Sequence, residues 1–252
     1  MEVFREPKLQ SENDNLQLSM LSEYCEKSPG SILSKFDNFT KYVQKNSLSR
    51  FLARYEIFKQ QIDVPGYILD LGVARGASLM SWAQLSTMFE PVNYTREIIG
   101  FDTFEGFPSI HESDINDQSA LVYEGGYKID DDMYTDIINA INVYDVNRPL
   151  SHIPKVKLVK GDITETLPLF VKENPHMLIS LLHIDADLFE PTKLALELLL
   201  SRVPKGGVIV FDELNSRLYP GETVAMLEAV GAKNLRLKRF PWATSIAYAV
   251  VE

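Results

Sequence analysis

The residues with chemical potential in this sequence stand at the ends of apolar runs. Leu178-Ile179-Ser180-Leu181-Leu182 leads into His183-Ile184-Asp185-Ala186-Asp187, and Val208-Ile209-Val210-Phe211 leads into Asp212-Glu213. If the two runs are neighbouring parallel strands, Asp185 or Asp187 comes to lie beside Asp212 and Glu213. That is a set of hard oxygen ligands without sulfur, suited to Mg²⁺, or to Mn²⁺ or Ca²⁺, and not to zinc. A cation there also relieves the repulsion among the gathered carboxylates. Each acid taken singly is also explained as a helix N-cap at a strand-to-helix turn; the set favours a metal. His183 lies within an apolar strand and reads first as a satisfied core histidine, second as a proton acceptor.

A second constellation lies upstream. Tyr67-Ile68-Leu69 runs into Asp70-Leu71-Gly72-Val73-Ala74-Arg75-Gly76-Ala77-Ser78, a strand, a glycine-punctuated turn and a helix opening at Ser78. It has neither the G-x-G-x-x-G of a dinucleotide site nor the Lys-Ser/Thr of a P-loop. S-adenosylmethionine has no phosphate, so one acid before the glycines is chemically sensible. Asp70 is expected at its ammonium and the amides near Gly72 at its carboxylate, although an ordinary strand-to-helix turn accounts for the same residues. Ile98-Ile99-Gly100-Phe101-Asp102 predicts a second strand ending on an acid, and Asp102 is the candidate acceptor for both ribose hydroxyls. Asp162, after the third run Val156–Lys160, either contacts the adenine or caps a helix. The candidate cofactor set is therefore Asp70, Gly72, Gly76, Ser78, Asp102 and Asp162.

These turns need a sheet to hold them. Strand and helix alternate from residue 67 onward, which predicts an α/β, doubly wound, mostly parallel Rossmann-like sheet. Further strands are expected near Leu235–Arg239 and Ser245–Val251, and helices near Met133–Tyr144, Thr164–Val171, Pro191–Leu200 and Thr223–Val230. Before the sheet, residues 1 to about 30 read as a loose arm with one helical turn around Leu16–Tyr24. Phe36, Phe39, Val43, Leu48, Phe51, Leu52, Tyr55 and Phe58 then predict two helices broken at Asn46-Ser47. Residues 105–155 form a long insertion read as a lid, with Gly125-Gly126 as hinge and its acids, Asp130 and Asp131 among them, as a solvated face. The whole, 1–252, reads as one domain, with 1–62 as N-terminal arm and helices.

Composition limits the partners. Hydrophobic residues make up 45% and charged residues 24%, enough for a sizeable core. The net charge of −10 argues against nucleic acid, whose binding needs clustered Lys and Arg. No apolar stretch is long enough to span a bilayer and no signal-like segment opens the sequence, so a soluble cytoplasmic protein is expected. The single cysteine, Cys25, excludes an intramolecular disulfide and a cysteine metal site. The aromatic N-terminal helices suggest a homo-oligomer.

Four runs together resemble one family. Gly72–Gly76, Gly100-Phe101-Asp102-Thr103-Phe104-Glu105-Gly106-Phe107-Pro108, Leu182–Glu190 and Gly206–Glu213 are similar, in the same order over roughly residues 65–215, to the macrocin/mycinamicin O-methyltransferases. The resemblance implies the class I methyltransferase sheet with its last strand antiparallel. It also implies dependence on S-adenosylmethionine and a metal, and a sugar hydroxyl as acceptor: a deoxysugar, a nucleotide sugar or a glycosylated small molecule. On this resemblance Asp185, Asp212 and Glu213 fall on metal-ligand positions, Glu213 standing where the family usually has aspartate. A sugar hydroxyl needs a proton acceptor as well as a cation; Asp187 is the first candidate base, with Asp185 and His183 behind it. Tyr123, Tyr127, Tyr219 and Trp242 are candidate stacking groups, and Arg217, Arg236, Lys238 and Arg239 candidate diphosphate partners. The same acids would equally serve a catechol-like acceptor, and a non-catalytic subunit that binds S-adenosylmethionine is the remaining alternative.

Overall fold

Strands covered on both faces read as near-continuous apolar runs, and the four central strands here do so, broken chiefly by Asp70, Ser180 and His183. The computed structural model describes residues 6, 9–129 and 132–252; the N-terminal reading of 1–5, 7 and 8 and the acids Asp130 and Asp131 lie outside the described residues. The strands are β1 (Tyr67–Leu71), β2 (Ile98–Asp102), β3 (Val156–Lys160), β4 (Ile179–Ile184), β5 (Val208–Phe211), β6 (Lys238–Phe240) and β7 (Ala243–Val250). They form one sheet in the order β3-β2-β1-β4-β5-β7-β6. β1 to β5 are parallel, and β7 runs antiparallel to both β5 and β6. The strand order reverses between β1 and β4, the switch point where doubly wound sheets bind ligands.

Helices cover both faces. Side chains of α3 (Lys45–Gln61), α4 (Ala77–Phe89) and α5 (Met133–Val146) share one core with Ile68, Leu181, Val208 and Val210. Those of α6 (Ile163–Glu173), α7 (Phe189–Leu199) and α8 (Pro220–Ala229) share the other with Leu69, Phe101, Leu182, Ile184 and Phe211. Arg96 ties α3 to the sheet. Its buried guanidinium donates to Gln61 Oε1 at 2.7 Å, to the carbonyls of Ile62, Val64 and Gly66, and to Glu90 Oε1 at 2.6 Å.

The N-terminal region departs from expectation. In place of a single turn, α1 spans Glu12–Lys27, started by a capping box between Ser11 and Asp14. α2 covers Ile32–Asp37, and the break before α3 falls ahead of Lys45, where Gln44 is extended. Asn46 and Ser47 therefore lie in the first turn of α3, where polar side chains suit the free backbone donors. No residue of α1 or α2 is buried, and Leu16, Met20, Ile32, Leu33, Phe36 and Phe39 are exposed. The sixth strand is shorter and later than the expected 235–239.

The 105–155 insertion is pinned at several points. Asp114 is buried and accepts from the N–H groups of Phe189, at 2.8 Å, and His111, at 3.0 Å. Asn116 Nδ2 donates to Leu218 O at 3.0 Å. The glycine pair does not stand free as a hinge. Phe107 N–H donates to Gly126 O and Gly125 N–H to Phe107 O, each at 2.9 Å, and a Cβ on Gly106 would lie 2.5 Å from Gly126 O. The glycines allow two backbone segments to touch.

Candidate active site

The carboxyl ends of β1 to β4 frame an open cleft. Gly72, Asp102, Asp162, Asp185 and Asp187 all line it, together with Phe104, Phe107, Tyr127 and Met133. Asp102 is the best placed of the cofactor candidates. Its Oδ2 accepts from Ala74 N–H at 2.8 Å and its Oδ1 from Phe104 N–H at 2.7 Å, so the two turns that border the cleft hold the carboxylate in place. Burial raises its pKa, and the amides of Ala74, Phe104 and Val73 oppose that. Asp162 both caps α6, accepting from Thr164 N–H at 2.8 Å, and lines the cleft.

Three members of the predicted cofactor set are placed otherwise. Asp70 has no exposed surface: Ser78 Oγ donates to its Oδ2 at 2.7 Å, and its Oδ1 takes the Nδ1 of His183, its register partner across β1 and β4. Neither Asp70 nor Ser78 lines the cleft, because each spends its polar group on the other inside the core. Gly76 serves geometry. With φ of 84° it caps α4 in the left-handed conformation, its Cα against Ile137 of α5. Gly72 lines the cleft, but its N–H already donates to Phe101 O at 2.9 Å. At φ of 93° a Cβ there would sit 1.9 Å from Asp185 O, so glycine is required for β4 to leave the sheet beside β1.

The acid cluster lies next to the cleft. One residue beyond the last β4–β5 pair, Ile184 with Phe211, stand Asp185 and Asp212. His183 Nε2 and one oxygen from each of these two aspartates lie within 4.8 Å of one another, the grouping of metal-ligating atoms found among the described residues. Glu213, expected in that set, is outside it; its N–H donates to buried Glu222 Oε1 at 2.9 Å. Arg50 of α3 reaches the acids, 2.7 Å from Asp212 Oδ2 and 3.8 Å from Asp185 Oδ2. Burial works to raise the Asp212 carboxyl, but Arg50, with His183 and Arg54, holds it below its ordinary value. Burial and the charge of Asp212 push Asp185 well up, and burial with Glu213 and Asp212 does the same to Asp187. Glu213 rises to about 7 through burial and Asp212. The residues present fit a divalent cation: six acids, Asp70, Asp185, Asp187, Asp212, Glu213 and Glu222, face two arginines, and Asp212 Oδ1 is buried without a partner.

Residues 43–228 match the family described as Macrocin-O-methyltransferase (TylF). The chain belongs to the macrocin O-methyltransferase family. It is an S-adenosylmethionine-dependent O-methyltransferase, as the four sequence runs implied. Among solved structures it is similar to CalS11, a calicheamicin methyltransferase, with 28% identity over 99% of this chain and 98% of that one and a TM-score of 0.92. The apo structure of CalS11, described as a TDP-rhamnose 3′-O-methyltransferase, matches with 29% identity, 96% and 95% coverage and a TM-score of 0.82. The O-methyltransferase NovP, at 18% identity, 81% and 80% coverage and a TM-score of 0.62, shares the fold. No curated protein sequence matches the chain.

For this methyltransferase, reading the sequence missed the counter-charges. Arg50 and Arg54 are spaced i, i+4 on α3, so both meet the sheet from one helix face, with Arg54 buried. That spacing was the available signal, obscured by the aromatic stripe around it. Of the stacking candidates, Tyr127 lines the cleft and shares a hydroxyl contact with Tyr219, whereas Tyr123 and Trp242 are exposed. Arg217 lies in a shallow groove with Asn116 and Asn215. Lys238 and Arg239 sit on the edge strand β6, and Arg236 faces Glu252 at 3.9 Å, so these three are not gathered at the cleft.

Proposed function

We propose that this enzyme transfers the methyl group of S-adenosylmethionine to a sugar hydroxyl, with help from a divalent cation. The acceptor class is a deoxysugar, nucleotide-linked or attached to a small molecule; TDP-rhamnose, named for CalS11, is the first to try. The observation that carries the reading is the adjacency of the Asp102–Asp162 cleft to the Asp185–Asp187–Asp212 cluster at one end of the sheet. Asp102 offers the ribose its remaining lone pairs, and Asp162 faces the adenine end. Asp185 and Asp212 would hold the cation, with Glu213 beside them. When bound, it acidifies the acceptor hydroxyl and fixes its direction. Asp187, held at φ of 61° on the cleft wall, accepts the hydroxyl proton as the oxygen takes the methyl, leaving S-adenosylhomocysteine and the methyl ether. Its raised proton affinity suits that role. Within 105–155, the segment around Phe107 and Tyr127 covers the acceptor as a lid, with Phe104 beside it on the cleft wall.

No helix among the described residues is long and apolar enough to cross a membrane. The test is a panel of TDP-deoxysugars and catechols incubated with S-adenosylmethionine, with Mg²⁺ or with a chelator, and read by mass spectrometry. Methylation of a sugar that stops with the chelator is the expected result. Methylation of catechols alone would replace the acceptor class, and full turnover under chelation would remove the metal.

A further inference from the structure

His183 is the group in the acid cluster that the proposed reaction leaves without a task. It is the register partner of Asp70 and precedes Asp185 by two residues, so the side chains of His183 and Asp185 point to the same face. Its two ring nitrogens are in different positions. A carboxylate only accepts, so the bond from Nδ1 to Asp70 puts a proton on Nδ1. Asp70 is itself anchored by Ser78 at 2.7 Å, and Trp82 stands edge-on to the imidazole with ring centroids 5.6 Å apart. The ring is therefore fixed from two sides. Nε2 is fully buried, has no hydrogen-bond partner, and falls within 4.8 Å of the oxygens of Asp185 and Asp212. Around a six-coordinate ion with bonds of about 2.1 Å, adjacent ligands lie about 3.0 Å apart and opposite ones about 4.2 Å, so the three atoms draw together as the ion binds.

Resting on the reading that this enzyme uses a divalent cation, we propose that His183 Nε2 is itself a ligand, completing the set with Asp185 and Asp212. Asp70 is then a positioning residue: it fixes the tautomer and aims the ring, as carboxylates behind metal-bound histidines do. Glu213, whose carboxylate is not part of that grouping, stays outside the inner set. An imidazole nitrogen makes the site a mixed nitrogen and oxygen site, which moves its preference from Mg²⁺ toward Mn²⁺ and Co²⁺.

The test loads the full-length protein with Mn²⁺ and records pulsed EPR, whose nitrogen hyperfine coupling reports a directly bound imidazole. The coupling is expected in the wild type, is expected to change when only histidine is labelled with ¹⁵N, and is expected to vanish in His183→Gln. Labelling leaves the fold untouched, so the result does not depend on the variant folding. Calorimetry is expected to give Mn²⁺ affinity at least about tenfold above that for Mg²⁺, with a loss of about ten- to a hundredfold for Mn²⁺ in Asp70→Asn. Mn²⁺ bound without nitrogen coupling overturns the histidine ligand and leaves the metal-dependent reading standing. Failure of Mn²⁺ and Mg²⁺ to bind at all overturns both.

Discussion

Asp102 takes backbone N–H groups on both carboxylate oxygens and lines the cleft. Asp102→Asn keeps one acceptor and loses the charge, and a lost hydrogen bond to a charged group is worth about 1.5–3 kcal/mol. S-adenosylmethionine affinity is therefore expected to fall about ten- to a hundredfold by calorimetry, and the melting temperature by a few degrees, because one of the two amides loses its acceptor. Lys155 gives a pH-dependent prediction away from the site. It is buried with Nζ on Asn93 O at 2.6 Å, and burial lowers it from 10.5 to about 8. Below pH 8 both folded and unfolded chains carry the charge, and the cost of burying it, about 3 kcal/mol, is present in full. As pH rises from 8 to 10.5 the folded state sheds its proton first and the cost fades. Lys155→Met is expected to gain about 2 kcal/mol in urea unfolding at pH 7, after subtracting about 1 kcal/mol for the lost hydrogen bond, and to lose about 1 kcal/mol at pH 10.5, where only that bond counts. At this scale the acids ending apolar runs were readable, because strand ends and ligand faces coincide in such sheets. The pairing of Asp70 with His183 was not, since the two lie 113 residues apart and only the β1–β4 register joins them.

α3 supplies the positive charge that faces the acid cluster. Arg50→Gln removes the partner of Asp212, and in chelator the melting temperature is expected to fall by an amount matching about 2 kcal/mol. Mn²⁺ is expected to restore it and to bind more tightly than to the wild type, because guanidinium and metal compete for the same oxygens. The turn after β1 is as exacting. Gly72→Ala sets a Cβ 1.9 Å from Asp185 O at a positive φ and is expected to lower the melting temperature by about 10 °C, read by calorimetric scanning. The strands and most helices were legible because their periodicities are long and unbroken. The extent of α1 was not, because its start depends on a capping box and it buries no apolar stripe. The insertion looked loose because its anchors, Asp114 and Asn116, bond to residues 75 and 102 positions away.

The whole molecule keeps its net charge of −10 and still leaves apolar side chains exposed on α1 and α2. Leu16, Met20, Ile32, Leu33, Phe36 and Phe39 are expected to be covered by a second copy, so light scattering should give a multiple of the single-chain mass. Phe36→Glu combined with Phe39→Glu should reduce it to one chain. The strand order β3-β2-β1-β4-β5-β7-β6 places the cofactor cleft and the acid cluster side by side, and the central claim is that they act as one site. The direct measurement is calorimetric titration of S-adenosylmethionine and then Mg²⁺ into metal-free protein, repeated with Asp212→Ala. S-adenosylmethionine is expected to bind both proteins and Mg²⁺ to bind only the wild type. Failure of S-adenosylmethionine to bind the wild type, or undiminished Mg²⁺ binding in the variant, would contradict the account.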